Sequence, residues 1–94
     1  MREVLKTSEF RRSVKHLVRR NWDLEPLAQV LEKLQRDAPS RELYKDHPLS
    51  GRFSGKRECH VTSITDNWVL VYHKTGDNRL YLHGTDTHAD VFGD

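Results

Sequence analysis

One cysteine, Cys59, occurs in 94 residues. A lone thiol forms no internal disulfide and no cysteine metal cage, which agrees with a reducing compartment. Its place in an apolar stretch reads as a packed strand residue rather than a nucleophile. Prolines number three and glycines five, and no repeat, linker or low-complexity tract interrupts the chain. Long apolar runs are also missing. The longest stretch, Trp68 to Tyr72, is far short of the roughly 18 residues that span a membrane, so none is expected to be crossed. Met1-Arg2-Glu3 leads directly into charge without an apolar signal core. The expectation is a soluble cytoplasmic chain with room for one domain, residues 1–94, and one modest core.

Charge is plentiful, at 32% of residues against 35% hydrophobic, and a net charge of +2 conceals an uneven distribution. Residues 1–20 carry Arg2, Lys6, Arg11, Arg12, Lys15, Arg19 and Arg20 against Glu3 and Glu9. From Ile64 onward Lys74 and Arg79 face five aspartates, so the sign reverses. A basic surface suits a polyanion or an acidic protein, because binding phosphate releases counterions. A plain solvated helix face accounts for it equally well.

Phe10, Val14, Leu17 and Val18 form one apolar stripe of a helix whose other faces carry the arginines, with Ser8 as its N-cap and Asn21 as its stop. Leu24, Leu27, Val30, Leu31 and Leu34 repeat the period, with Asp23 to cap, Pro26 in the first turn and Pro39 beyond the end. The two helices form a hairpin. Residues 41–56, with Pro48, Gly51 and Gly55, read as a loop or irregular edge. Strands follow at 57–64 and 68–72, the latter apolar on both faces and therefore central. A turn at Thr75-Gly76-Asp77-Asn78 precedes a third strand, in which Arg79, Tyr81 and His83 alternate with Leu80 and Leu82. Val4 and Leu5 add an N-terminal strand. The expected fold class is α+β, in the order β-α-α-β-β-β, with two helices on one face of a small, largely antiparallel sheet.

Six histidines are present. His16 and His73 read as surface or boundary residues. His47 in the polar loop, His60 beside Cys59, His83 at the end of the last strand and His88 beyond it can meet on the open sheet face. Three readings stay open. Such a group could ligate metal, although no H-E-x-x-H or C-x-x-C spacing is present. It could cleave RNA without metal, one imidazole taking the ribose 2′-hydroxyl proton and another protonating the departing 5′-oxygen. Lys45, Arg52, Lys56 or Arg57 would then neutralise the phosphate. Or each histidine could be structural. Trp68 reads as core or as a base-stacking face, and Phe92 as an anchor for the tail or a stacking partner.

Tyr44-Lys45-Asp46-His47-Pro48-Leu49 with Gly51, then Arg57-Glu58-Cys59-His60-Val61, Trp68-Val69-Leu70-Val71-Tyr72 and Thr87-His88-Ala89-Asp90-Val91-Phe92-Gly93, in this order, resemble the YafQ branch of the RelE-type toxins of bacterial toxin–antitoxin modules. The resemblance implies a RelE-like fold and a ribosome-dependent mRNA interferase that cuts message in the decoding site without metal or other cofactor. It leaves a 5′-hydroxyl and a cyclic or open 3′-phosphate. It implies His47, His60 and His88 as catalytic, with His47 and His88 in proton transfer and His60 orienting or sharing the proton. Partners implied are a cognate acidic antitoxin, the ribosome with its RNA, and mRNA, with promoter DNA for the antitoxin complex. Two positions depart from the pattern. Asn67 stands where an acidic residue usually precedes the strand Trp, with Asp66 as substitute. Gly84 stands where an Arg usually neutralises the phosphate, leaving His83 or Arg57 to serve, beside Lys45. That second departure keeps open an alternative, a catalytically weak RelE-fold binding module acting through antitoxin or RNA.

Overall fold

In the computed structural model, which describes residues 1–62 and 67–92, the first helix, α1 (Ser8–Arg19), is capped by Thr7 rather than Ser8. The Thr7 hydroxyl accepts a hydrogen bond from the Phe10 amide at 3.2 Å. Such a cap is worth about 1 kcal/mol. Phe10 and Leu17 are buried and Val14 half-buried, but Val18 is 54% exposed. At 3.6 residues per turn Val18 lies about 80° round from Phe10, off the narrow stripe. Helix α2 (Glu25–Gln35) begins where Asp23 accepts from the Glu25 amide at 3.0 Å, holds Pro26 in its first turn, and buries Leu27, Val30 and Leu34. Both helices stop in the same way. Asn21 and Asp37 adopt left-handed φ values of 61° and 55°. The next amides, Trp22 and Ala38, return to the carbonyls of Leu17 and Lys33 at 3.1 and 3.0 Å. Short polar side chains tolerate that conformation where glycine is the usual choice.

The sheet has five strands in the order β1-β5-β4-β3-β2. Strand β1 (Glu3–Lys6) runs parallel to β5 (Arg79–Thr87). The other pairs, β5 with β4 (Trp68–Thr75), β4 with β3 (Arg57–His60) and β3 with β2 (Tyr44–Pro48), are antiparallel. The α+β class and the largely antiparallel sheet are as expected, and α1 and α2 contribute to a core with Cys59, Leu70, Tyr72, Leu80 and Leu82.

Two elements differ from the expected order. Tyr44–Pro48, within the stretch read as a loop or irregular edge, is a bulged edge strand. It is exposed along most of its length and bulged between Tyr44 and His47, with Lys45 at φ 53°, so it carries no apolar alternation. His88–Phe92 forms a short helix, α3, in place of an irregular tail, and the Thr87 hydroxyl accepts from the Asp90 amide at 3.1 Å.

Strand alternation separates the two sheet faces. Cys59 lies in the helix-covered core, so Arg57 shares that side, whereas Glu58 and His60 point to the other. Register places Glu58 opposite Val71 and Val71 opposite Gly84 in one row across three strands. His83 is the extra residue where the β4–β5 ladder shifts, since Val71 pairs with Gly84 but Tyr72 with Leu82.

Candidate active site

Glu58, buried in the middle of β3, is the hub of the open face. Its Oε1 lies 3.4 Å from His60 Nε2, and its Oε2 lies 3.8 Å from His47 Nε2 and 3.9 Å from His88 Nε2. Three rings from β2, β3 and the start of α3 therefore converge on one carboxylate. His60 is nearly buried, while His47 and His88 are about half exposed and can meet a substrate.

Each ring is aimed by local structure. At Lys45 the left-handed backbone turns its carbonyl onto His47, whose Nδ1 lies 2.8 Å away. A carbonyl only accepts, so Nδ1 carries the hydrogen and Nε2 is the nitrogen facing Glu58. His60 follows Glu58 by two residues and shares its face. His88 is fixed by its amide, which donates to the Asn67 carbonyl at 2.9 Å, and by Phe92, whose ring centre is 4.6 Å away. Phe92 meets Phe53 edge-on at 4.9 Å, and its carbonyl accepts from Arg52 Nη2 at 3.0 Å.

A cleft of about 620 Å³ opens beside the hub. Val71 and Gly84 form its floor, and Glu9, Arg12, Phe53, Lys56, His83 and Val91 are among the residues around it. Among the described residues, a Cβ built on Gly84 would meet nothing within 4 Å. His83 Nε2 is 2.6 Å from His73 Nδ1, and the two rings stack beside Tyr81. Burial, then the nearby Lys56 charge and His73, push the His83 value down to about 4.

Several expected contacts fall elsewhere. Arg57, expected on the phosphate, donates from Nε and Nη2 to Asp46 at 3.4 and 3.2 Å on the helix-covered side, where Tyr72 also donates to Asp46. It is engaged there as a brace for β2. His83, the other expected cation, is neutral near pH 7. Trp68 is a core residue: it is 5% exposed, its indole donates to Thr85 Oγ1 at 2.9 Å, and its ring meets Trp22 edge-on at 5.0 Å. Asp66 lies outside the described residues. Lys45 belongs to the bulge that aims His47, and Phe92 lies against His88. Cys59 is buried, and loss of solvation pushes its thiol up to about 12, so it is inert at neutral pH.

Glu58 escaped the sequence reading. Its signal was its spacing, two residues before His60 on a strand, which puts a carboxylate and an imidazole on the same face. Another group, His16, Asp86 and Asp90, has ligand atoms within 4.8 Å of one another. The Arg20 guanidinium sits beside all three, at 3.3 Å from His16, 3.6 Å from Asp86 and 3.7 Å from Asp90, tying α1 to α3.

The fold and the imidazole cluster define a class once the sequence comparison is added: residues 2–93 match the bacterial toxins of type II toxin–antitoxin systems. Within that class the chain belongs to the YafQ family. It is 33% identical to the mRNA interferase toxin YafQ of Escherichia coli K12, across 98% of this chain and 97% of that protein. A metal-bound toxin from Helicobacter pylori superposes with a TM-score of 0.85 at 32% identity, covering 98% of this chain and 100% of the other. YafQ in the E. coli DinJ–YafQ toxin–antitoxin complex superposes with a TM-score of 0.82 at 33% identity, covering 98% of both chains.

Proposed function

We propose that this chain is an mRNA endoribonuclease, the toxin of a type II pair, which cuts message in the ribosomal decoding site and needs no metal for the chemistry. The observation that carries the reading is the convergence of His47, His60 and His88 on Glu58. One imidazole removes the proton from a ribose 2′-hydroxyl, whose oxygen attacks the adjacent phosphorus. A second donates a proton to the 5′-oxygen as its bond to phosphorus breaks. The products are a 2′,3′-cyclic phosphate, which water can open, and a 5′-hydroxyl end. No electron acceptor or other reactant is required.

His47 and His88, the more exposed rings, carry the two proton transfers, and His60 orients or shares the proton. Glu58 stabilises whichever ring becomes imidazolium, in the way that a buried carboxylate supports a catalytic histidine in hydrolase triads. Phe92, already against His88, is available to position a base.

The E. coli relative's complex with its antitoxin supports a cognate partner of that kind here. The exposed ridge Arg11, Lys15 and Arg19 on α1 suits ribosomal RNA and can equally be masked by an acidic antitoxin. The antitoxin complex is expected to contact promoter DNA.

Mapping message ends on programmed ribosomes tests the reading. New ends with a cyclic phosphate for the wild type, absent in His88→Ala, support catalysis. Equal growth arrest when wild type and His88→Ala are expressed in bacteria, with no new message ends from either, would establish the alternative, a binding module. Imidazole and carboxylate are donors that zinc or copper also accepts, and the H. pylori relative is metal-bound. Chelation with ribosomal magnesium held constant is therefore part of the test, and unchanged cleavage is expected.

A further inference from the structure

Transesterification of RNA builds negative charge on the phosphorane oxygens, and the imidazoles at Glu58 are occupied with protons. A fixed cation on the same face is required. Arg57 is on the other side of the sheet, bound to Asp46, and His83 is uncharged near neutrality. The row Glu58, Val71, Gly84 leads from the hub straight into the cleft, and at Gly84 the floor is bare.

Lys56 stands at the edge of this floor. It immediately precedes β3 and lines the cleft together with Val71 and Gly84, the residues in register with Glu58. Its ammonium is 5.7 Å from the Phe53 ring centre. That ring touches Phe92, which touches His88, so one continuous wall joins Lys56 to the hub. Its charge also reaches across the cleft to His83. Arg12 on the opposite wall is 73% exposed and lies 3.9 Å from Glu9. It is a surface group rather than a preorganised one.

We infer that Lys56 is the cation that binds the scissile phosphate of the RNA, reaching it over the floor left open by Gly84. This rests on the mRNA-cleaving reading above. Lys56 takes no part in the proton transfers. It offers ammonium hydrogens to the non-bridging oxygens as their charge grows, and the bonds made and broken at phosphorus are unchanged.

The experiment is single-turnover cleavage of ribosome-bound message by wild type, Lys56→Met, Lys56→Arg, Arg12→Met and the double variant Lys56→Met/Gly84→Arg. Lys56→Met should cut at least about 100-fold more slowly, the loss typical of removing one preorganised charge-stabilising group. Lys56→Arg should stay within about tenfold of wild type, because the charge is kept. Gly84 has an ordinary backbone conformation and open space, so an Arg there is accommodated and should restore the double variant at least about tenfold over Lys56→Met. An NMR titration provides the control on the fold: in Lys56→Met the His83 ring should keep its place and titrate at higher pH. The assignment is overturned if Lys56→Met cuts within about threefold of wild type, or if Arg12→Met produces the larger loss. A wild type that leaves message intact would instead remove the nuclease reading itself, and Lys56 with it.

Discussion

His60 Nε2 faces Glu58 Oε1 at 3.4 Å, although the two residues belong to one strand and the other two rings at this carboxylate arrive from distant segments. The strand thus supplies both a buried anion and its first imidazole, and β2 and α3 bring the others to it. Glu58→Gln retains the shape and removes the charge. Cleavage should fall at least about 100-fold, as for a triad whose orienting carboxylate is neutralised, while the near-ultraviolet circular dichroism stays native. Wild-type turnover in this variant would show that the carboxylate only fills space.

Trp68 tests core against stacking. Its indole donates to Thr85 Oγ1, and the Thr85 hydroxyl donates in turn to the Val69 carbonyl at 3.0 Å. Trp68→Phe breaks this buried relay and leaves a void, with an expected loss of about 1 to 3 kcal/mol seen as a lower urea midpoint. Cleavage per folded molecule should remain near wild type. Weaker substrate affinity at unchanged stability would return Trp68 to the RNA surface.

Acid should unfold the protein in two stages. Folding lowers the His83 value from 6.5 to about 4, so its contribution is complete above pH 6.5 and is lost as pH falls toward 4. Asp37, held by Lys74 and Arg2 at 2.8 Å each, is lowered from 3.8 to about 2, so its contribution disappears only below pH 3.8. Urea midpoints measured from neutral pH down to about pH 3 should drop in both windows. His83→Gln should flatten the upper window and leave the lower one. An unchanged upper slope in that variant would contradict the buried, neutral ring.

The basic ridge makes a prediction about salt. Neutralising Arg11, Arg12, Lys15 and Arg19 together should weaken ribosome association and reduce the salt dependence of what remains, by about 0.7 to 0.9 in logarithmic slope for each phosphate that is no longer neutralised. Filter binding across a salt series reads this directly. A slope equal to wild type would mean that these side chains point away from the ribosomal RNA.

Periodicity carried the two helices and the central strands because Leu17, Leu34, Leu70 and Leu82 are there to be buried, and burial leaves a pattern. Strand β2 left none. Its residues are mostly exposed, and its shape depends on a left-handed Lys45 that no propensity signals. Residue type and placement single out four histidines, His47, His60, His83 and His88, and the narrower set of His47, His60 and His88 comes from the family resemblance. Arg57 misled for a physical reason: a one-residue step along a strand reverses the face, and its partner Asp46 lies on an edge that the pattern concealed. Glu58 was passed over because a strand glutamate ordinarily faces water.

The kink at Lys45 has one more effect. An outermost strand with straight, unpaired amides invites a second molecule to continue the sheet, and this one is bent, twisted and ended by a proline. The distortion that directs His47 inward thereby also blunts a surface prone to self-association, so a variant that relaxed it would be expected to lose solubility along with catalysis.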